Sequence, residues 1–111
     1  MTKAPTPDLA SLMTFIGEGF PFTQEHYPHA DLRNPSFTLA FAVSHSAKHM
    51  AKSTGKIAAE SEEWDHGGIM NEEALKVATT KMLINALNLA RMLEMTPEEI
   101  AARVPEVMVI I

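Results

Sequence analysis

Apolar residues recur along this chain at intervals of three and four positions, and no stretch alternates strictly between polar and apolar residues. That spacing favours amphipathic helices over strands. The pattern therefore predicts an all-α fold. Two long helices form an antiparallel hairpin, with shorter helices before and after it.

The short first helix is predicted in "TPDLASLMTFIGEG". Thr6 is expected to cap it and Pro7 suits its first position, while Gly17 and Gly19 end it. A loop rich in proline and aromatic residues, "FPFTQEHYPHADLRNP", follows it.

The first long helix is predicted from about Ser36 to about Ser61, opened by Pro35. A loop over "EEWDHGGIMN" should separate it from the second long helix. Asn71 is a good N-cap for that second helix, which is expected to run to about Glu94.

The last helix begins with a capping box, in which Thr96 is the cap, Pro97 the first position and Glu99 the third. Pro105 is expected to end it. The apolar tail "EVMVII" should then pack on the body of the protein or on another subunit, because an exposed apolar tail favours aggregation.

Composition narrows the classes of function. The chain has 111 residues, 46% of them hydrophobic, which indicates one globular domain. It has no cysteine, and it shows no signal-peptide or membrane-span pattern, so we expect a cytoplasmic protein without membrane contact. Its net charge of −5 argues against general DNA binding, although a local basic surface can still hold a small anion.

A basic stripe crosses the first long helix, within a segment from Leu32 to Ala59 that contains no acid. At 100° per residue, five side chains fall within about a third of the helix circumference: His45, Lys48, His49, Lys52 and Lys56. Apolar residues take the opposite side and are the expected core face: Leu39, Ala40, Val43, Ala47, Met50, Ala51, Ile57 and Ala58.

Three interpretations of the basic stripe stay open. It is an ordinary solvated face, or it binds an anion that relieves the mutual repulsion of its cations. The third interpretation is a metal site on His45 and His49, which are four positions apart, with His29, Asp65 or His66 as further ligands. The flanking lysines oppose a cation, so no metal is expected there.

The second long helix carries a broad apolar stripe, which we expect to be core: Leu75, Ala78, Met82, Leu83, Ala86, Leu89, Ala90 and Leu93. Beside it lie Lys81, Asn85 and Asn88. This row is plain surface, or it faces the basic stripe and adds one cation and two amides to a shared polar pocket.

The segment of about 34–104 resembles the MazG-like, all-α nucleotide pyrophosphohydrolases. The resemblance rests on the hydrophobic spacing of "NPSFTLAFAVSHSAKHMAKSTGKIA" and of "EALKVATTKMLINALNLARMLEMTPEEIAARV", with its short capped helix. It implies a single domain over 1–111 that assembles as a dimer or tetramer in an oligomeric helical bundle. In that family, acids from an E-E-x-x-E and an E-x-x-D motif bind Mg²⁺, which clamps the triphosphate.

The acid positions of the family are not acids here. The first motif falls on Ser44, His45 and Lys48, and the second falls on Ala78 and Lys81. Lysine and histidine attract phosphate without a metal, so the resemblance implies a nucleotide or other phosphate-bearing ligand without Mg²⁺-dependent hydrolysis. The predicted ligand-binding residues are His45, Lys48, His49, Lys52, Lys81 and Asn85, with no metal and no other cofactor.

Two alternatives remain. One is a divergent pyrophosphohydrolase that holds Mg²⁺ through the remaining acids Glu60, Glu62, Glu63 and Asp65, so whether the chain is an enzyme stays open. The other is a protein without enzymatic activity that serves only for self-association.

Overall fold

The computed structural model describes residues 7–65 and 67–110, with side chains for all of these except 63–65 and 110. The described residues form four helices and no strand: α1 (Leu9–Gly19), α2 (Pro35–Asp65), α3 (Glu72–Met92) and α4 (Pro97–Ile110). The predicted all-α fold is confirmed. None of the described helices is long and apolar enough to cross a lipid bilayer.

Helix α1 begins later than the sequence predicted. Its N-cap is Asp8, whose carboxylate accepts a 2.8 Å hydrogen bond from the Ser11 amide, and this bond lowers the pKa of Asp8. Aspartate is a better cap than threonine, which explains the shift. Thr6 lies outside the described residues, and the helix ends at Gly19 as expected.

Helix α2 is a turn longer than predicted, because the acidic segment 60–65 continues the helix to Asp65 rather than forming a loop. Glu60, the first acid of this segment, stabilises the connection between α2 and α3. The Glu60 carboxylate accepts a hydrogen bond from the Asn71 amide at 3.1 Å. Asn71 caps α3 as predicted, through a 3.1 Å bond from the Ala74 amide. The short connection makes α2 and α3 an antiparallel hairpin.

Helix α4 is capped as predicted, with the Glu99 amide donating to Thr96 Oγ1 at 3.0 Å. The prediction that Pro105 ends this helix is wrong, since the helix continues to Ile110. Glu99 pairs with Arg103 at 2.8 Å, an i, i+4 contact within α4. The residues 101–109 are all exposed, so the predicted packing of the tail on the body is not observed for them.

The hairpin packs through small residues, and its orientation differs from the prediction. The buried side chains of α2 are Ala42, Ser46 and Ser53, which lie beside the basic stripe rather than opposite it. The expected core face of α2 is instead largely exposed: Leu39 is 37% and Val43 42% exposed, while Met50 and Ile57 are half-buried. On α3, Ala78 is buried, whereas Leu83 is 57% exposed.

The aromatic segment between α1 and α2 folds back over the hairpin and is held by Gln24. The Gln24 side-chain amide donates to the backbone oxygens of Tyr27 and Ala30, at 3.2 and 2.6 Å, and its oxygen accepts from the Leu32 amide at 2.9 Å. These bonds fix a tight turn. The turn places Tyr27 against α2, where its ring centroid lies 4.8 Å from that of Phe41.

Candidate functional site

Two cavities lie one after the other along the groove between α2 and α3. The buried side chains at the bottom of this groove are small, namely Ala42, Ser46, Ser53 and Ala78. Larger side chains on either side of this seam, including the histidines and lysines of the basic stripe, then form the cavity walls.

The first cavity, which we call the lysine cavity, has a volume of about 330 Å³. Its lining residues come from both helices: Lys52, Ser53, Lys56, Ala74, Val77, Ala78 and Lys81. Three of the seven lining residues are lysines, and none of the seven carries a carboxylate. Such a concentration of positive charge suits an anion.

One acid lies close to the lysine cavity. The Glu60 carboxylate is 3.5 Å from Lys56 Nζ and is largely buried, with 14% of its side chain exposed. It partly neutralises Lys56, but it also accepts from the Asn71 amide. Lys52 and Lys81 have no ion pair among the described residues, so their charges are the ones that a ligand would meet.

The second cavity, which we call the aromatic–imidazole cavity, has a volume of about 180 Å³ and lies between the hairpin and the aromatic segment. Its lining residues are Phe20, Phe22, Tyr27, His45, His49, Ile84, Asn85 and Asn88. The rings pack closely. The centroid of His45 lies 5.3 Å from Tyr27 and 4.5 Å from His49.

The environment of His45 lowers its pKa. Burial is the main cause, because it penalises the charged imidazolium, and the nearby His49, Lys48 and Lys52 add electrostatic repulsion. His45 is therefore a neutral imidazole at physiological pH. A neutral imidazole both donates and accepts hydrogen bonds, and its ring can stack on another ring.

The two asparagines of this cavity are held by defined hydrogen bonds. Asn85 Nδ2 donates to the backbone oxygen of Lys81 at 2.8 Å. Asn88 Oδ1 accepts from Arg91 Nε and Nη2, at 3.2 and 3.1 Å. Asn88 Nδ2 lies 3.5 Å from the backbone oxygen of Phe20, at the limit of a hydrogen bond.

The predicted site residues are thus divided between two adjacent cavities rather than gathered in one cleft. His45, His49 and Asn85 line the aromatic–imidazole cavity, and Lys52 and Lys81 line the lysine cavity. Lys48 is exposed and lines neither. Whether these residues bind a ligand stays a prediction.

The possible metal ligands that the structure describes do not converge on the histidine pair. No three His, Asp or Glu side chains come close enough to hold a metal ion, within the part of the chain whose side chains are described. His29 packs beside Tyr27, with ring centroids 6.3 Å apart. His66 and the side chain of Asp65 lie outside the described residues.

Several lining residues were missed from the sequence. Phe22 and Tyr27 come from the aromatic segment, whose composition was evident but whose position against α2 was not. Asn88, only 4% exposed, was left out of the predicted set. Lys56 was part of the basic stripe but was not selected, and its place beside Lys52 and Lys81 follows from the register of the hairpin.

A larger surface depression of about 660 Å³ lies at the other end of the hairpin, where residues 32–39 approach residues 92–94. Its charged residues, Arg33 and Glu94, have opposite signs. It therefore offers neither an excess of charge nor a cluster of rings, and the two cavities of the groove are the better candidate site.

Comparison with known proteins adds no relative to these observations. No protein-family model matches the chain, and no curated protein or solved structure shows significant similarity to it. Any functional assignment therefore depends on the geometry of the groove and on the chemistry of its residues.

Proposed function

We propose that this protein binds a nucleotide or another phosphate-bearing ligand, and that the lysine cavity holds the phosphates. The observation that carries the proposal is the meeting of Lys52, Lys56 and Lys81, from two helices, around one cavity without a lining carboxylate. Lysine is a compact charge with three donors, which suits the several oxygens of a polyphosphate.

Electrostatics supports an anion in this position. Three lysines line this one cavity, and the only ion pair among them within the described residues joins Lys56 to Glu60. A phosphate group would accept charge-assisted hydrogen bonds from the other two lysines. Binding of this kind needs no divalent metal.

The MazG-like architecture is part of the proposal. Support comes from the order of elements, since a long helical hairpin is followed by a short helix capped at Thr96. The alternative of a divergent Mg²⁺-dependent hydrolase has no comparable support. Of its candidate acids, Glu60 is engaged by Lys56 and Glu62 is exposed, while the side chains of Glu63 and Asp65 lie outside the described residues. A cytoplasmic location likewise stays a prediction.

Calorimetric titration with inorganic triphosphate, at low salt and with a chelator present, tests the proposal. We expect saturable binding that Lys52→Ala and Lys81→Ala each weaken about tenfold, the usual effect of losing one charge-assisted hydrogen bond. Lys76→Ala is the matched control, because Lys76 is an exposed lysine of α3 that does not line the cavity. Absence of binding, or equal weakening by all three substitutions, would refute the lysine cavity as the site.

A second proposal, self-association as a dimer or tetramer, rests on a different surface. The side of the hairpin turned away from the cavities carries exposed apolar residues, which we call the apolar back face: Leu39, Val43, Ala47, Leu83, Ala86 and Leu93. These positions lie more than 100° around each helix from Lys52 and Lys81. Exposed apolar patches of this kind are typical of association surfaces.

The dimensions of the single chain also favour a second copy as the partner. The chain exposes 8481 Å², whereas a compact monomer of 12.2 kDa is expected to expose about 6,000 Å². Its radius of gyration is 17.0 Å, against about 13 Å for a compact domain of this length. Permanent dimers bury roughly 2,000–5,000 Å² in total, which is the scale of this excess for two chains.

Sedimentation velocity tests this second proposal. We expect the unmodified chain to sediment as a dimer or tetramer, and Val43→Glu combined with Leu83→Glu to shift it toward the monomer. Ile69→Glu is the control, because Ile69 is a fully exposed loop residue outside the apolar back face. A monomeric unmodified chain at micromolar concentration would refute self-association.

A further inference from the structure

The aromatic–imidazole cavity contains the chemistry that recognises a flat heteroaromatic ring. Phe22 and Tyr27 are stacked, with centroids 5.8 Å apart, and both present an edge-to-face contact to His45. Aromatic and imidazole faces around a small volume are the usual surroundings of a bound base. Phe20, Phe22 and Tyr27 precede the segment 34–104 that resembles the MazG-like proteins, so the aromatic wall of this cavity does not follow from that resemblance.

The asparagines add hydrogen-bonding groups to the same cavity. Because Asn85 Nδ2 donates to the backbone oxygen of Lys81, its side-chain oxygen is the acceptor that a ligand would meet. Asn88 Oδ1 accepts from Arg91 and one Nδ2–H is directed at the backbone oxygen of Phe20, which leaves the second Nδ2–H as the donor on offer. One acceptor and one donor suit the edge of a nucleobase, which carries both types of group.

The two cavities follow one another on both helices. His49 and Ser53 are one turn apart on α2, as are Lys81 and Asn85 on α3. The α2 residues that line them are centred about seven positions apart, which corresponds to roughly 10 Å. That separation matches a ribose and a phosphoryl group between a base and the end of its phosphate chain.

The cavities also lie on the same side of the hairpin. His45, His49, Lys52 and Lys56 fall within about a third of the circumference of α2. A single extended ligand could therefore reach both without crossing the seam of small residues.

We propose that the aromatic–imidazole cavity is the subsite for the base of a nucleoside polyphosphate whose phosphates occupy the lysine cavity. This inference rests on the proposed function, since it assigns the second half of the same ligand. The aromatic–imidazole cavity has a volume of about 180 Å³, which corresponds to about six water molecules at 30 Å³ each and is room for one six-membered ring. The lowered pKa of His45 favours its neutral form, so this histidine places no positive charge against the ring of the base.

Comparison of uridine triphosphate with inorganic triphosphate, both without divalent metal, tests the subsite. We expect the nucleotide to bind at least about tenfold more tightly, the effect of stacking one base on aromatic side chains. Tyr27→Leu should remove this advantage and leave the affinity for inorganic triphosphate unchanged. Phe15→Leu is the matched control, because Phe15 is an exposed aromatic residue of α1 that lines neither cavity.

Saturation-transfer NMR gives a second readout, in which the uracil protons should receive magnetisation from the aromatic protons of the unmodified chain and clearly less from those of Tyr27→Leu, which keeps the rings of Phe20 and Phe22. Equal affinities for the two ligands, or an advantage that survives Tyr27→Leu, would overturn the subsite while the lysine cavity stands. If neither ligand binds, the proposed function fails as well.

Discussion

The imidazoles of His45 and His49 lie beside each other across one turn of α2, with ring centroids 4.5 Å apart and ring planes tilted by 56°. His45 is also enclosed by the ring of Tyr27, at 5.3 Å. The charged groups near it are Lys48 and Lys52 of its own helix, while α3 contributes the neutral amides of the cavity. Burial and these cations together disfavour a proton on His45.

The free energy of unfolding is therefore expected to decrease as the pH is lowered through the mildly acidic range. Folding lowers the pKa of His45 below its ordinary value of 6.5, so the unfolded chain takes up the proton first. The part of the free energy of unfolding that depends on a neutral His45 is present in full above about pH 6.5, and it is lost as the pH falls toward the lowered pKa. Urea unfolding at a series of pH values should show that the free energy of unfolding rises with pH in this window. His45→Phe should make this dependence on pH weaker.

The control for this pH dependence is His26→Gln, a change at an exposed histidine bonded to Thr23 at 2.9 Å. It should leave the slope as it is in the unmodified chain. An unchanged slope in His45→Phe would contradict the assignment to His45.

Ser46 offers a test of the helix seam. It is 1% exposed, and its hydroxyl has no hydrogen-bond partner among the described residues. Removing a buried group without a partner is stabilising, so we expect Ser46→Ala to raise the free energy of unfolding by about 1 kcal/mol. Chemical denaturation at fixed protein concentration measures it.

Ser53 is the matched control for Ser46, because it is also buried but donates to the backbone oxygen of His49 at 3.3 Å. Ser53→Ala should change the stability little or lower it. A loss of stability in Ser46→Ala would show that its hydroxyl has a partner in solution.

Two helical glycines should respond differently to alanine. A methyl group at Gly55 meets nothing within 4 Å, so Gly55→Ala should stabilise the protein by about 1 kcal/mol through helix propensity. At Gly17 the added carbon would lie 2.6 Å from Arg91 Nε, and Arg91 is held by Asn88. Gly17→Ala should therefore give a smaller gain or a loss in thermal unfolding, and an equal gain would contradict the contact.

Pro105 should weaken α4, which continues through it. Proline provides no N–H for the carbonyl of Ala101 and costs about 3 kcal/mol in a helix interior relative to alanine. Pro105→Ala should therefore increase the helical circular dichroism at 222 nm. Pro97→Ala is the control, because proline at the first helical position carries no such cost. Equal effects of the two substitutions would indicate that α4 does not extend past Pro105.

Much of the local structure could be predicted from the sequence, because it depends on neighbouring residues. Asn71 and Thr96 cap their helices as expected, since a cap bonds amides only three positions away. Two predictions about helix ends were wrong, and they too concern local structure. Asp8 was a better cap than Thr6, and Pro105 was accommodated inside a helix.

The sequence by itself determined four helices and a stripe of histidines and lysines along one side of α2, because helical periodicity alone assigns side chains to faces. Only the tertiary structure decided which side of α2 meets α3. Small residues, Ala42 and Ser46, allow the closest approach, and that choice leaves Val43 exposed. It also divided the stripe between two cavities and brought Tyr27 against His45, because a contact between distant segments depends on how the whole chain packs and not on the spacing of neighbours.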